Sequence, residues 1–212
     1  MVDYIRDEEE QAERLKEWWQ KNGTATIIVI VLAIGALLGW RQWQDHSAGQ
    51  AGEASQHYEA MMTALGQQGD ADLVRNAADT LIKDFGGSAY ADYAHLALAK
   101  LAVDDGDLGA AAEQLTTVAE DPATRELEYT ARLRLARVLV AQGELDAAGE
   151  QIARTFPEAW QGQALELKGD IASVRENWDA ARAAYGDALE ALDEGAARDR
   201  VQMKLDDLKS QS

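Results

Sequence analysis

Three histidines are the side chains of this sequence that could bind a transition metal. His46 and His57 lie eleven positions apart on one predicted helix, and His95 lies on another. A zinc site on a helix needs ligands three or four positions apart, or a second cluster of ligands. The sequence has neither arrangement, so the histidines predict no metal centre.

The acidic stretch DDGD, from Asp104 to Asp107, is the other segment whose side chains could hold an ion. It resembles the start of a calcium loop but lacks a bidentate glutamate at the required distance. The chain has no cysteine, and it has no motif of zinc proteases, serine hydrolases, dinucleotide-binding domains or P-loop nucleotidases. The sequence therefore predicts a protein that is not an enzyme and binds no cofactor.

Three segments of the chain align with one another. GDLGAAAEQL begins at Gly106, GELDAAGEQI at Gly143 and ENWDAARAAY at Glu176, which places their alanine pairs 37 and 33 residues apart. Each segment follows a stretch with helical periodicity. A bulky residue precedes each alanine pair, namely Leu108, Leu145 and Trp178. Helical hairpins repeated at this period predict an all-α, tetratricopeptide-like α-solenoid.

Further helices are predicted on both sides of these repeats. Residues 44–66 and 70–85 form a divergent first hairpin, whose second helix has an apolar stripe of Leu73, Ala77, Leu81 and Phe85. Pro122 and Pro157 follow the second helices of two repeats and are expected to stop them. A last helix, expected to cap the array, has an apolar face of Val201, Leu205 and Leu208.

The chain has no charged residue from Asn22 to Trp40. As a helix, this run spans about 28 Å, close to the hydrocarbon core of a bilayer. A cleaved signal peptide is the alternative, but the run is longer than a typical signal sequence and no A-x-A-like site follows it. Residues 22–43 are therefore a predicted transmembrane helix, with Trp40 and Trp43 at the membrane interface.

Basic residues on the two sides of the span predict its orientation. Four lie before it and one lies close behind it, so the N-terminus is expected in the cytoplasm. Residues 1–21 then form a cytoplasmic amphipathic helix, which Gly23 can end. This helix either continues into the span or lies on the inner leaflet. Residues 44–212 are then expected outside the membrane, as a periplasmic domain if the protein comes from a Gram-negative bacterium.

Gly35 and Gly39 form a GxxxG motif within the span. Small residues four positions apart let another membrane helix approach closely. The two glycines are candidate contacts to a helix of another subunit, or to a second copy of the chain in a homo-oligomer. The motif is short and common in membrane helices, so a lipid-facing surface is the alternative.

The net charge of −18 excludes some classes of partner. Residues 42–212 contain 15 basic and 31 acidic side chains. Such a domain repels the phosphates of nucleic acids and the headgroups of anionic lipids. Nucleic acid is therefore not an expected partner, and most of the acids are expected on a solvated surface.

One face of the array is a predicted partner-binding groove, because the first helices of successive hairpins line a common surface. The repeat alignment places eight residues on it: Tyr93, Leu96, Lys100, Val103, Thr130, Leu133, Arg137 and Val140. Apolar residues with a few charges are typical of a groove for a peptide or a partner helix. Alternatively, Leu96 and Leu133 are buried between repeats.

The charge of the groove is expected to change along the array. Lys100 and Arg137 hold equivalent positions in two repeats, so two cations are expected side by side. The third repeat offers Gln163, Glu166 and Asp170 instead. The C-terminal end of the groove is therefore predicted to be acidic. The alternative is that the cations only balance nearby acids.

The order of these features resembles a known family. EWWQKNG precedes the span, GWRQW ends it, the repeats follow, and VQMKLDDL lies near the C-terminus. The chain is similar in this order to the YfgM-type ancillary subunits of the bacterial SecYEG translocon. The resemblance implies a bitopic inner-membrane protein with SecYEG and the periplasmic chaperone PpiD as partners, and without catalytic residues.

Three classes of function remain open on the sequence. The first is a membrane-anchored scaffold that links the translocon to periplasmic chaperones and assists the traffic of secreted proteins. The second is a holdase chaperone that contacts emerging polypeptides directly. The third is an enzyme, or a regulator, of the cell envelope.

Overall fold

A computed structural model describes residues 3–66 and 70–209 of the chain, and within these ranges every regular element is a helix. The predicted all-α fold is confirmed. The helices are α1 (Asp3–Gly66), α2 (Ala71–Asp84), α3 (Ala89–Asp104), α4 (Leu108–Glu120), α5 (Arg125–Gln142), α6 (Leu145–Ile152), α7 (Glu158–Val174), α8 (Trp178–Ala191) and α9 (Ala196–Lys209). The chain divides into two compact units, Met1–Gly52 and Glu53–Ser212.

The first unit is the N-terminal part of α1, which contains a segment, Lys16–Gln42, long and apolar enough to cross a membrane. Gly23, which could have ended the N-terminal helix, lies within α1, which continues through it. A helix end at this point would leave carbonyl groups unpaired at the start of the apolar run. The indole of Trp19 lies beside the Cα of Gly23, where a larger residue would crowd it. The side chains of Trp43 and His46 lie outside the described residues.

The second unit is a row of helical hairpins, as the repeat alignment predicts. After the C-terminal part of α1 and α2, the pairs α3–α4, α5–α6 and α7–α8 follow, and α9 packs on α8. The three turns within the aligned pairs share one backbone conformation. Gly106, Gly143 and Glu176 all have positive φ, of 79°, 80° and 58°. The alignment therefore identifies structurally equivalent residues, and Glu176 adopts a conformation that favours glycine.

The repeated small residues lie where the helices of each hairpin make contact. Ala111, Ala148 and Ala181, the second members of the three alanine pairs, are completely buried. The preceding bulky residues begin the second helices and pack, partly buried, against the cores of their hairpins: Leu108, Leu145 and Trp178. A side chain larger than alanine at the buried position would force the two backbones apart.

Two details of the helices differ from the prediction. The buried face of α2 consists of Val74, Ala78 and Leu81, which pack with α3, and Leu73 is 58% exposed. Pro157 does not stop α6, which ends at Ile152, but occupies the N-cap position of α7. The capping role of α9 is consistent with its buried Val201 and Leu208.

Candidate partner-binding groove

The first helices of two hairpins, α3 and α5, line a continuous groove in the second unit. It consists of two adjoining cavities of about 380 and 400 Å³, which share Leu96, Lys100 and Arg134 in their walls. Cavities of this size suit a few side chains of a bound protein segment. We call the first the basic cavity and the second the aromatic cavity.

The basic cavity has an apolar floor and a cationic rim. Leu96, Leu115 and Val138 are buried side chains that line it, one each from α3, α4 and α5. Lys100, Arg134 and Arg137 surround this floor, together with the exposed Val103. The cavity can therefore bury an apolar group while charged groups around it meet the cations.

The three cations of the basic cavity differ in how they are neutralised. Lys100 Nζ lies 2.5 Å from Asp104 Oδ2, one turn along α3. Arg137 Nη2 lies 3.5 Å from Gln163 Oε1 and 4.0 Å from Glu166 Oε2. Burial lowers the pKa of the Arg137 guanidinium, and the nearby Glu166 carboxylate opposes that shift. Arg134 is exposed and forms no ion pair within the described parts of the chain.

The aromatic cavity continues the groove towards the C-terminal part of α1. The ring of Tyr58 lies between those of Tyr90 and Tyr93, with centroid distances of 5.5 and 5.3 Å. Tyr58 and Tyr93 line the cavity with Met62, and Tyr93 and Met62 are exposed. Exposed aromatic and methionine side chains are typical of surfaces that bind other proteins.

The structure brings most of the predicted groove residues together. Tyr93, Leu96, Lys100, Val103, Thr130 and Arg137 line the two cavities. Leu133 does not, because it is 1% exposed and packs with Phe156 and Leu167 in the core between α5 and α7. Val140 is partly buried and packs against the core that the hairpins α3–α4 and α5–α6 share.

Sequence reasoning missed Arg134, although its spacing could have indicated it. Arg134 lies three residues before Arg137, on the same face of α5. On α5, Thr130 and Arg137 line the groove as predicted, and Arg134 and Ala141 line it in place of Leu133 and Val140, each one position further along. The observed and predicted lining residues differ because the side chain of Leu133 packs against the following hairpin.

The groove does not become acidic beyond Arg137, which corrects the prediction for the third repeat. Glu166 of α7 is 1% exposed, and both its oxygens accept hydrogen bonds of 2.7 Å from Arg200 of α9. Lys204 of the same helix donates to Glu166 at 2.8 Å and to Asp170 at 2.7 Å. The hydroxyl of Tyr185 also donates to Asp170, at 2.7 Å. Helix α9 therefore neutralises the two carboxylates.

The pKa of Glu166 reflects this environment. Burial alone raises it, but the hydrogen bonds from Arg200 and Lys204 outweigh burial and lower the pKa to about 2. Burial, together with the hydrogen bond to Asp170, raises the pKa of the Tyr185 hydroxyl. Glu166 is thus a fixed negative charge of the fold at neutral pH.

The histidines and aspartates that were considered as metal ligands contact other side chains or cap a helix. His95 Nδ1 lies 2.7 Å from Gln114 Oε1, and the ring of His57 packs 6.1 Å from that of Phe85. In the DDGD stretch, Asp107 caps α4 by accepting from the Ala110 amide at 2.9 Å. Within the described residues no group of three or more potential ligands is close enough to hold a metal ion.

Gly35 and Gly39 lie in the apolar part of α1 with open space beside them. A Cβ atom at either position would meet no other atom within 4 Å among the described residues. The two glycines therefore leave a shallow surface that another helix could approach.

The chain combines one apolar N-terminal helix that fits a single-pass anchor with a row of helical hairpins. These two features define the class of membrane-anchored tetratricopeptide-like proteins. A family model described as "Tetratricopeptide repeat-like domain" matches residues 16–210. The Escherichia coli K12 protein named "Ancillary SecYEG translocon subunit" is 32% identical, over 98% of this chain and 99% of that protein. The chain therefore belongs to the family of ancillary SecYEG translocon subunits with a tetratricopeptide-like domain.

Two further proteins with the same name are similar to the chain. The protein of Aggregatibacter actinomycetemcomitans is 30% identical, over 97% of this chain and 99% of that protein. The match with the Haemophilus influenzae protein is 33% identical and covers 53% of this chain and 54% of that protein. No solved structure matches the chain significantly.

Proposed function

We propose that this protein is a non-catalytic, membrane-anchored scaffold that associates with the SecYEG translocon. The names of its relatives support the translocon as the partner. The observation that carries the scaffold role is the groove between α3 and α5, with an apolar floor and exposed aromatic and basic side chains. In this proposal the groove holds a partner protein, such as a periplasmic chaperone of the PpiD kind, beside the translocon.

The groove is tested by matched substitutions at two exposed valines. Val103 and Val174 are 44% and 55% exposed and lie in the last turns of α3 and α7. Only Val103 of the two lines the basic cavity. Val103→Asp places a charge against an apolar floor and should reduce co-purification with translocon or chaperone components in mild detergent. Val174→Asp should leave it unchanged, and equal effects of the two changes would contradict the role of the groove.

The orientation of the protein is part of the proposal. The excess of lysine and arginine before the span supports a cytoplasmic N-terminus and a periplasmic domain at residues 44–212. A reporter enzyme that is active only in the periplasm, fused after Ser212, should be active. A silent C-terminal fusion together with an active N-terminal fusion would reverse the orientation. A mature protein that begins near residue 48 would contradict the anchor.

We also propose that Gly35 and Gly39 face another membrane helix, in the translocon or in a second copy of the chain. Replacing both by leucine should weaken association without preventing insertion, because leucine is at least as apolar. Ala33→Leu, on the opposite side of the helix, is the control. Crosslinking in native membranes detects contact with the translocon and contact with a second copy of the chain. Unchanged crosslinking in the double variant would mean that this surface faces lipid.

A further inference from the structure

The signs of the charges in the groove point to the chemistry of what it binds. Residues 42–212 contain 31 acidic and 15 basic side chains, yet three cations surround the basic cavity. Glu126, in the aromatic cavity, is the one carboxylate among the lining residues of the two cavities. The groove is therefore a local basic surface on an acidic domain.

We propose that the groove recognises an amphipathic protein segment whose apolar side chains are flanked by a few carboxylates. This inference rests on the proposed function, because it names the kind of segment that the scaffold would hold. The buried floor of Leu96, Leu115 and Val138 would contact the apolar side chains. Lys100 and Arg134, which remain exposed on the rim, would pair with the carboxylates.

The fold contains an example of such charge matching on the neighbouring repeat. Glu166 and Asp170 of α7 would be an acidic continuation of the groove, and α9 covers them with Arg200 and Lys204. Two cations of α9 therefore pair with the two carboxylates on the first helix of the third repeat. In the groove, α3 and α5 instead present cations, of which Lys100, paired with Asp104, and Arg134 remain exposed. The complementary segment for them is acidic.

The number of carboxylates in the segment is limited by the rest of the domain. The net negative charge of residues 42–212 repels a strongly acidic polymer at long range. Contact with the rim cations acts over a few ångströms and is less screened beside an apolar floor. A short segment with one or two carboxylates beside apolar residues therefore fits better than an acidic tract, a nucleic acid or an anionic membrane.

Three labelled peptides test the inference with the full-length protein in phosphatidylcholine nanodiscs. The peptides share one helical pattern of leucines over about four turns and carry Glu, Gln or Lys at the flanking positions. Fluorescence anisotropy measures their affinities. The wild type should bind the Glu peptide about fivefold more tightly than the Lys peptide, the amount expected of one or two partly exposed ion pairs.

Charge reversal at the rim should reverse this preference. The double variant Lys100→Glu and Arg134→Glu should bind the Lys peptide more tightly than the Glu peptide. The matched control is Arg125→Glu with Lys168→Glu, which changes the net charge equally at exposed positions outside the groove. Equal loss of Glu-peptide binding in the two double variants would mean that only net charge matters, and would overturn the inference.

Val103→Asp separates failure of this inference from failure of the proposed function. If Val103→Asp abolishes binding of all three peptides but the wild type does not prefer the Glu peptide, the groove binds proteins and the charge inference is wrong. If the wild type binds none of the peptides, the charge inference is also wrong. If Val103→Asp changes neither peptide binding nor co-purification with the translocon, the proposed site itself is wrong.

Discussion

Replacing Glu166 by glutamine should release α9 from α7. The carboxylate of Glu166 holds α9 through two hydrogen bonds from Arg200 and one from Lys204. A glutamine side chain keeps one acceptor oxygen, but it presents an N–H₂ donor to a guanidinium and carries no charge. Arg200 of α9 then loses its carboxylate partner, while Lys204 keeps only its hydrogen bonds to Asp170.

The size of the effect follows from the pKa of Glu166. Its environment lowers this pKa from 4.5 to about 2, which corresponds to about 3 kcal/mol at about 1.4 kcal/mol per pKa unit. Because the folded-state pKa is the lower one, this stabilisation is present above pH 4.5 and is lost as the pH falls towards 2. We expect the substitution to cost a similar amount at neutral pH.

Hydrogen exchange of the α9 amides, measured by mass spectrometry on the full-length protein, tests this expectation. In Glu166→Gln, residues 196–209 should exchange about 100-fold faster at neutral pH, while α3 and α5 change little. The control Glu158→Gln removes an exposed charge from the same helix and should change exchange by less than about threefold. Unchanged α9 exchange in Glu166→Gln, or the same loss of protection on acidification in variant and wild type, would refute this account.

Three further predictions concern stability, measured by urea unfolding. Gly169→Ala should destabilise the domain by about 1–3 kcal/mol, because the added Cβ would overlap the ring of Tyr185. Gly186→Ala, whose Cβ meets open space, should stabilise the domain by about 0.5–1 kcal/mol. Equal effects of the two changes would contradict the close packing at Gly169. Glu176→Gly should stabilise the domain by about 1 kcal/mol, since Glu176 has a positive φ, and no gain would contradict strain at this turn. Glu144→Asp should add about 1 kcal/mol by supplying the side-chain cap that α6 lacks, and a loss of stability would contradict it.

The hairpins could be predicted from the sequence because their determinants are local. The turn, the small residue and the bulky residue of each repeat lie within a few positions of one another, as in the segment from Gly106 to Ala111. Even Glu176, which is not a glycine, has the left-handed conformation of its aligned partners. The transmembrane run is equally local, since it depends on a continuous absence of charge.

The groove could be predicted only in part, because its surface depends on contacts between distant helices. Half of the predicted stripe on α5 lies one position further along the helix, since Leu133 packs against Leu167 of the next hairpin and Arg134 lines the groove instead. The prediction that the groove becomes acidic at the third repeat was wrong for the same reason. Lys204 reaches Glu166 from 38 positions further along the chain, and no periodicity within a repeat indicates such a contact. The sequence also left open whether the N-terminal helix ends at Gly23; α1 continues through this residue, because glycine permits a helix to end but does not require it.

One position of the repeat explains why the third first helix carries an acid where the other two carry a cation. Lys100, Arg137 and Asp170 occupy equivalent places in the three first helices. The last repeat has α9 beside it, and Asp170 is paired there with Lys204 at 2.7 Å. A cation at position 170 would face the cations of α9 and weaken the cap. The acid at this position therefore belongs to the fold, and the cations that remain exposed in the groove are the charges available to a partner.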